Sequence, residues 1–521
     1  MAGWARTPED RNQMVLFPEK LDDIIPPDAT VRVFDEILSV LDFSEFEKKY
    51  DLTRGQPPIH PRVLASVILY GLLQRIRSTR RLEEALIVRN DFRWLAQGFS
   101  LDHSTLAVFR VHHTAAIQDL FVQVVRVARN LGLVQLQCLA FDGTRIQADN
   151  RRGGTRTPEE LRQEMAELQQ LFEQQELAIQ QADDQEKKLL GAESTAMPKE
   201  LTDRKTRLEQ IAATLQDLEQ QRAQGGQVPQ RIPNTDLDAR IMKNKEGGFA
   251  PNYTPTATVD VASGVIVDVE VVNNAAEDHV LLASVDNVTS TFGVRPEAVL
   301  MDGLNATGFN LAGLEERGIT AYSPLPAADY PEQNPALRDD LTQPVAAELI
   351  DQLPTQKMQG QQQFKRAAFV YDAEQDAYFC PAGKKLEHHH AAREPRRQGT
   401  VVRERYVSRA VDCAACPLKQ RCLQGQAQTR SVSHDQHEGQ RRKLAARMKT
   451  QAGKQKYAQR RHAGETPFAW IKQRFHFRRF LVRGLARVKN EWRWAATSFN
   501  LCKIMTYLRA NLSRAGPLAA S

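Results

Sequence analysis

Between residues 157 and 223 the chain is rich in Gln, Glu, Leu and Lys, and no other stretch limits its possible folds so strongly. Thr157 can cap free amides, Pro158 suits a first helical position, and Glu160 stands three residues after the cap, so a helix starts here. Leu161, Met165, Leu168, Phe172 and Ile179 keep one heptad-like seam. Leu201, Leu208, Ile211, Leu215 and Leu218 keep another after a break at Met197 and Pro198. Two helices folded back on each other satisfy both seams. The flanks are different: Val134 to Asp149 and YTPTATVDVASGVIVDVEVVNN (253 to 274) show short alternating apolar positions, which predict strands, with a turn at ASG. The helical pair is thus an insertion between strands, serving either as an intrachain hairpin or as a dimerisation arm; heptads alone do not fix the partner.

A chain of 521 residues exceeds one compact core, so two to four domains are expected. Before residue 135 the pattern is mostly helical. Leu64, Val67, Ile68, Gly71 and Leu72 recur at three- and four-residue steps, and Asp102 or Ser104 can cap a later helix. The Arg-rich connections RIRSTRRLEE and VRNDFRW fit a DNA-binding unit or a solvated surface. After residue 274 come the helix AEDHVLLASVDNVTSTFG, the strand EAVLMDG, the helix ATGFNLAGLEERG and the strand ITAYSPLP, a mixed α/β order. Residues 324 to 364 read as a connecting loop, and FVYDAEQDAYFCPAGKKL as a small hairpin carrying Cys380. No apolar run approaches the roughly 20 residues of a membrane span, and the N-terminus lacks a secretory segment, so a cytoplasmic protein is expected. A net charge of +6 leans towards anionic partners.

Asp142 and Asp302 each end an apolar run, and each is followed by Gly. Taken singly, each reads as a turn residue. Taken together they are informative, because parallel neighbouring strands of a mixed sheet present their carboxyl ends at one edge, where sites collect. Adjacent carboxylates repel unless a cation neutralises them, and oxygen ligands favour Mg²⁺ or Mn²⁺. With a third carboxylate, two ions about 4 Å apart can serve phosphodiester chemistry. The third acid is Glu465: between residues 441 and 490 stand sixteen Lys and Arg and this single acid. Such a segment is stabilised beside a phosphate backbone, with Phe468, Trp470, Phe475, Phe477 and Phe480 available for core packing or base stacking. The alternative for Glu465 is an intrahelical partner for Arg461 or Lys472.

Cys380, Cys413, Cys416 and Cys422 give C-x32-C-x2-C-x5-C, a ligand set for a closed tetrahedral Zn²⁺ site in an insertion too small for its own core. Reduced, unliganded thiols are the alternative. His388 to His390 read as a solvated loop.

The chain resembles the bacterial DDE transposases of the IS4 and IS1182 insertion-sequence type. The likeness rests on DHSTLAVFR, FDGTRIQAD, DARIMK with GGFAPNY, the Cys cluster, and ETPFAWIK with FRRFLVRG. It implies an α/β fold: a ribonuclease-H-like mixed-sheet catalytic core with a helical N-terminal DNA-binding domain (1–133), an inserted antiparallel coiled coil (157–226) and a zinc-bearing insertion (327–440). The core itself would comprise 134–156, 227–326 and the C-terminal helices of 441–521. By the same likeness Asp142, Asp302 and Glu465 form the catalytic triad on two Mg²⁺ ions. Tyr457, Arg461 and Lys472 complete the family signature, and Arg478, Arg479, Arg483 and Arg110 contact DNA. The implied activity is hydrolysis at the element ends followed by joining of the 3′-hydroxyl to target DNA. The implied partner is double-stranded DNA, bound by a homodimer, without a membrane. A nuclease of the same fold that cannot join, or a non-catalytic DNA-binding regulator, are the competing functions.

Overall fold

The computed structural model describes residues 20–50, 57–150, 154–190, 199–223, 228–244, 247–358 and 361–514. The chain divides into two compact units. One comprises 1–127, 474–476 and 493–521, and the other 128–473 and 477–492. Among the described residues no helix is long and apolar enough to cross a membrane.

The first unit is helical. Its helix Pro61–Leu73 is apolar nearly all round, and accordingly every residue from Val63 to Leu72 is buried. Gly71 is required there, because a Cβ would lie 2.5 Å from Leu82 Cδ2 and 2.9 Å from the Ile76 carbonyl oxygen. The helix His103–His112 starts as anticipated, with the Asp102 carboxylate accepting from the amides of Ser104 and Thr105. Phe46, Phe109, His113 and Trp494 form an aromatic cluster.

The second unit is built on a mixed sheet. Its main strands are β1 (Cys138–Gly143), β2 (Phe249–Asp260), β3 (Ile266–Val272), β4 (Ala298–Leu300) and β5 (Thr320–Tyr322), and the short strands Ile146–Gln147 and Arg240–Lys243 also pair with β2. In space the main strands run β3-β2-β1-β4-β5. The hairpin of β2 and β3 is antiparallel, β1 is antiparallel to β2, and β4 and β5 run parallel to β1. Leu139, Ala140 and Phe141 of β1 are fully buried, as expected of a central strand covered on both faces. Helices Leu281–Phe292 and Gly308–Glu316 make the connections either side of β4. The consequence for function is positional: pairing of Leu139 with Val299 puts the carboxyl ends of β1 and β4 side by side.

The helices Pro158–Leu190 and Lys199–Ala223 form the inserted pair, entered through an antiparallel ladder of Thr155–Arg156 with Ile232–Pro233. The capping box is realised reciprocally: Thr157 N donates to Glu160 Oε2 (2.8 Å) and Glu160 N to Thr157 Oγ1 (3.2 Å). Leu161, Ile211, Leu215 and Leu218 are buried together with Ile232 and Leu237. The break at Met197 and Pro198, and the side chains of Ile179 and Leu201, lie outside the described residues.

Residues 324 to 364 depart from the expected loop. Ala336, Val345, Leu353 and Phe364 pack into one cluster with Phe369, Tyr378, Leu386, Tyr406 and Val432. Phe369 directly precedes, and the other partners belong to, an antiparallel sheet of β6 (Val370–Asp372), β7 (Ala377–Phe379), β8 (Lys385–Arg396), β9 (Gly399–Ser408) and β10 (Ser431–Asp435). The expected hairpin around Phe379 is the β6–β7 pair, but the insertion has a hydrophobic core of its own, which the sequence reading denied it. The apolar residues that build it are scattered through Pro- and Gln-rich sequence and meet only through long-range pairing. His388 to His390 lie exposed on β8, not in a loop.

Candidate active site

Asp142 is the penultimate residue of β1, and Asp302 follows the end of β4 by two residues. Parallel pairing brings them together, and a residue that sequence reasoning passed over joins them. One carboxylate oxygen from each of Asp142, Glu277 and Asp302 lies within 4.8 Å of the others. Among the described residues this is the one group of three or more His, Cys, Asp or Glu with such spacing.

Each acid is held by its local chain. Asp142 Oδ1 accepts from the Gly143 amide (2.9 Å) and from Arg460 Nη2 (3.1 Å). Asp302 Oδ1 accepts from the backbone and side-chain nitrogens of Asn305 (3.0 and 2.8 Å), while Ser323 Oγ donates to the Asp302 carbonyl. Glu277 precedes the tight turn Asp278–Val280 that opens the helix after β3. Burial pushes the Glu277 carboxyl upward from its ordinary range; Arg145 opposes the shift, and the charges of Asp302 and Asp142 add to it. The donor set is entirely carboxylate oxygen, converging where partial neutralisation by two guanidinium groups leaves net negative charge. That chemistry fits a hard divalent cation such as Mg²⁺ or Mn²⁺.

Glu465 stands apart from this group. It ends a π-helical turn, Arg461–Glu465, between the helices Gln451–Ala458 and Thr466–Arg474. Its side chain is 61% exposed, with Oε1 3.9 Å from Arg460 Nη1. The turn itself abuts the site: a Cβ on Gly464 would sit 3.7 Å from Asp142 Cβ and Oδ2. Wide π turns of this kind recur at functional sites. Arg460, 11% exposed, thus lies between the buried Asp142 and the exposed Glu465.

The expected DNA-contacting residues occupy several settings. Tyr457 is half-buried beside Arg460; burial raises its phenol pKa, with Arg460 opposing and the nearby Asp302 and Asp142 adding. Arg461 and Arg478 are exposed. Lys472 Nζ donates to Thr144 Oγ1 and to the Arg145 carbonyl (2.9 Å), fixing the segment just after Asp142. Arg479 and Arg483 both engage the Asp149 carboxylate, at 2.7 and 2.9 Å. Arg110, in the helical unit, donates to the Arg77 carbonyl (2.9 Å). Of the aromatic residues interleaved with these bases, Phe468, Phe475, Phe477 and Phe480 are buried, so they serve packing, whereas Trp470 is half-buried.

The four clustered cysteines share one part of the insertion, although no three of their sulfurs stand within 4.8 Å of one another. Burial raises the Cys422 thiol to about 12, with Arg430 opposing and Cys380, Cys413 and Cys416 close enough to add to the rise. Cys380 Sγ accepts from Lys384 N (3.3 Å), and Cys413 Sγ lies 3.1 Å from Ser408 Oγ.

Comparison with known families now bears on this geometry. Residues 379–505 match the profile of a transposase DDE domain. Residues 19–112 match that of a second transposase domain, DUF772. These two matches support an insertion-sequence DDE transposase. The pairing of these two domains fits the IS1182-type group. The DDE match spans the four cysteines and Glu465, while Asp142, Glu277 and Asp302 lie outside both matches. No curated protein matches the chain. A DDE domain brings with it DNA as partner and use of a divalent metal.

Two participants escaped the sequence reading besides Glu277. Arg145 carries no distinguishing pattern, and Arg460 is one of sixteen bases in its segment. Glu277 sits in NNAAEDHV, where an acid before a helix is ordinary.

Proposed function

We propose that this transposase binds the terminal inverted repeats of its element, hydrolyses a phosphodiester at each end and joins the freed 3′-hydroxyl to target DNA. The observation that carries this reading is the convergence of Asp142 and Asp302 at the carboxyl edge of the sheet, against the turn bearing Glu465. The strand order, with three antiparallel strands followed by two parallel to β1, supports a ribonuclease-H-like core. In the first step, water attacks phosphorus and the bond to the element's 3′ oxygen breaks. In the second, that 3′-hydroxyl attacks a target phosphodiester, displacing the target's own 3′ oxygen. A divalent cation pair, when bound, would lower the charge at phosphorus and favour ionisation of the attacking oxygen.

Asp142, Asp302 and Glu465 would hold these Mg²⁺ ions. The exposed Arg461 and Arg478 face solvent, as backbone-holding residues must. Tyr457 and Lys472 border the acids, and Arg479 and Arg483 complete the basic edge, exchanging Asp149 for phosphate. Domain 1–133, with Arg110, would bind the element ends. The helical pair would act as an antiparallel coiled coil, and the four cysteines would hold structural Zn²⁺. Two ends in one reaction call for a homodimer.

The direct test is nicking of DNA carrying the repeats that bracket the element, in Mg²⁺. Asp142→Asn should abolish cleavage while leaving end binding in place; cleavage at the wild-type rate would overturn the assignment. Pre-cleaved ends offered to the wild-type protein separate a transposase from a nuclease, since only the former joins them to a target.

A further inference from the structure

We infer that Glu277 is a further ligand of this centre, holding a divalent cation jointly with Asp142 and Asp302 before DNA arrives. The inference rests on the metal-dependent reading above but concerns a residue that reading leaves aside.

Its side chain is only 9% exposed, and the contacts it keeps, a hydrogen bond from its own backbone amide and a long ion pair with Arg145, are weak for an acid so buried. Arg145 Nη1 stands 3.9 Å from Glu277 Oε2, beyond hydrogen-bonding distance. That guanidinium donates instead to Thr254 Oγ1 (2.9 Å) and to the carbonyl of Ala275. The carboxylate is aimed at Asp142 and Asp302, two groups of its own charge. A buried acid so placed is stabilised by a cation that all three share.

The glycine following Asp142 supplies an independent observation. A Cβ on Gly143 would lie 3.0 Å from Glu277 Cδ and 3.1 Å from its Oε1, so the Glu277 carboxyl occupies the space that any other residue would fill. Gly143 has an ordinary backbone conformation, since it is absent from the residues of positive φ, and its lack of a side chain therefore serves the approach of Glu277. Glu465 differs in its exposure: its side chain is 61% exposed, against 9% for Glu277. The ligands thus divide into an inner trio, brought together in the protein alone, and an outer, exposed carboxylate.

The test is Mn²⁺ binding to the purified full chain without DNA, followed by loss of the free-ion signal in electron paramagnetic resonance, with circular dichroism as a folding control. Glu277→Gln should weaken binding at least tenfold, and Glu465→Gln less than threefold. Gly143→Ala, which retains every acid but displaces the Glu277 carboxyl, should weaken it severalfold and decides the matter if Glu277→Gln does not fold. Wild-type affinity in both Glu277→Gln and Gly143→Ala, or no binding by the wild type, overturns the inference. Should Asp142→Asn abolish cleavage while Glu277→Gln binds Mn²⁺ normally, the proposed function stands and Glu277 alone is refuted.

Discussion

Replacing Arg460 with Gln removes a guanidinium that touches Asp142 at the acidic edge. Arg460 Nη2 lies 3.1 Å from Asp142 Oδ1, and the two side chains are 11% and 13% exposed, so solvent screening is slight. At that separation the attraction is roughly 5 kcal/mol for an effective dielectric of about 20. Dehydration of both groups offsets much of it, leaving a net loss of about 2 kcal/mol when one partner is deleted. For a folding unit of this size that corresponds to a drop of roughly 3 °C in the midpoint of thermal unfolding. The deletion also leaves Asp142, Glu277 and Asp302 with less compensation, so a cation that reaches them no longer competes with Arg460. Unfolding should therefore be followed by calorimetry with and without Mn²⁺. The variant is expected to melt lower than wild type without metal and to gain more from it, approaching wild type at saturation. An unchanged midpoint without metal, together with an equal metal-dependent gain, would refute the charge argument.

Other expectations follow from separate parts of the molecule. The purified chain should contain about one Zn²⁺, and Cys416→Ser should lose it with a lower unfolding midpoint; metal analysis of both proteins checks this. Lys472→Ala, by freeing the Thr144 and Arg145 groups it holds, should cost about 1–2 kcal/mol and slow end cleavage more than tenfold, read by denaturant titration and a nicking time course. Asp268 is buried beside Ser284 and Asn287, and burial raises its carboxyl to about 6 despite their hydrogen bonds. A raised folded pKa means that the folded state binds the extra proton, so this group's contribution is complete below about pH 4 and is lost as pH rises through about 6. Asp268→Asn should remove that component, its stability relative to wild type rising by up to roughly 3 kcal/mol between those limits; parallel denaturant series across the range would show no such divergence if the account is wrong.

Local signals survived folding best. Thr157 and Glu160 exchange the bonds their spacing implies, Asp102 caps its helix, and the runs ending in Asp142 and Asp302 become parallel neighbours. These outcomes depend on residues a few positions apart or on the handed connection between consecutive strands, which sequence pattern encodes directly. What escaped was long-range convergence. Glu277 reaches the site because the β2–β3 hairpin turns the chain back beside β1, and nothing in NNAAEDHV marks it. The insertion's core joins Ala336 and Phe364 to Tyr406 and Val432 across a segment whose Pro and Gln content masks its apolar positions. Arg460 was hidden by abundance: among so many cations, only geometry picks out the one that touches Asp142.

The ladder of Thr155–Arg156 with Ile232–Pro233 has a bearing on how this enzyme can change over generations. It returns the polypeptide to within one interstrand spacing of where it left, so the stretch enclosed is a detour that the catalytic sheet does not register. Beyond the packed base at Leu161 and Ile211, whole heptads can be added or removed without moving Asp142 relative to Asp302. Natural variation in the length of this detour should therefore be wide, while the spacing on either side of it stays nearly constant.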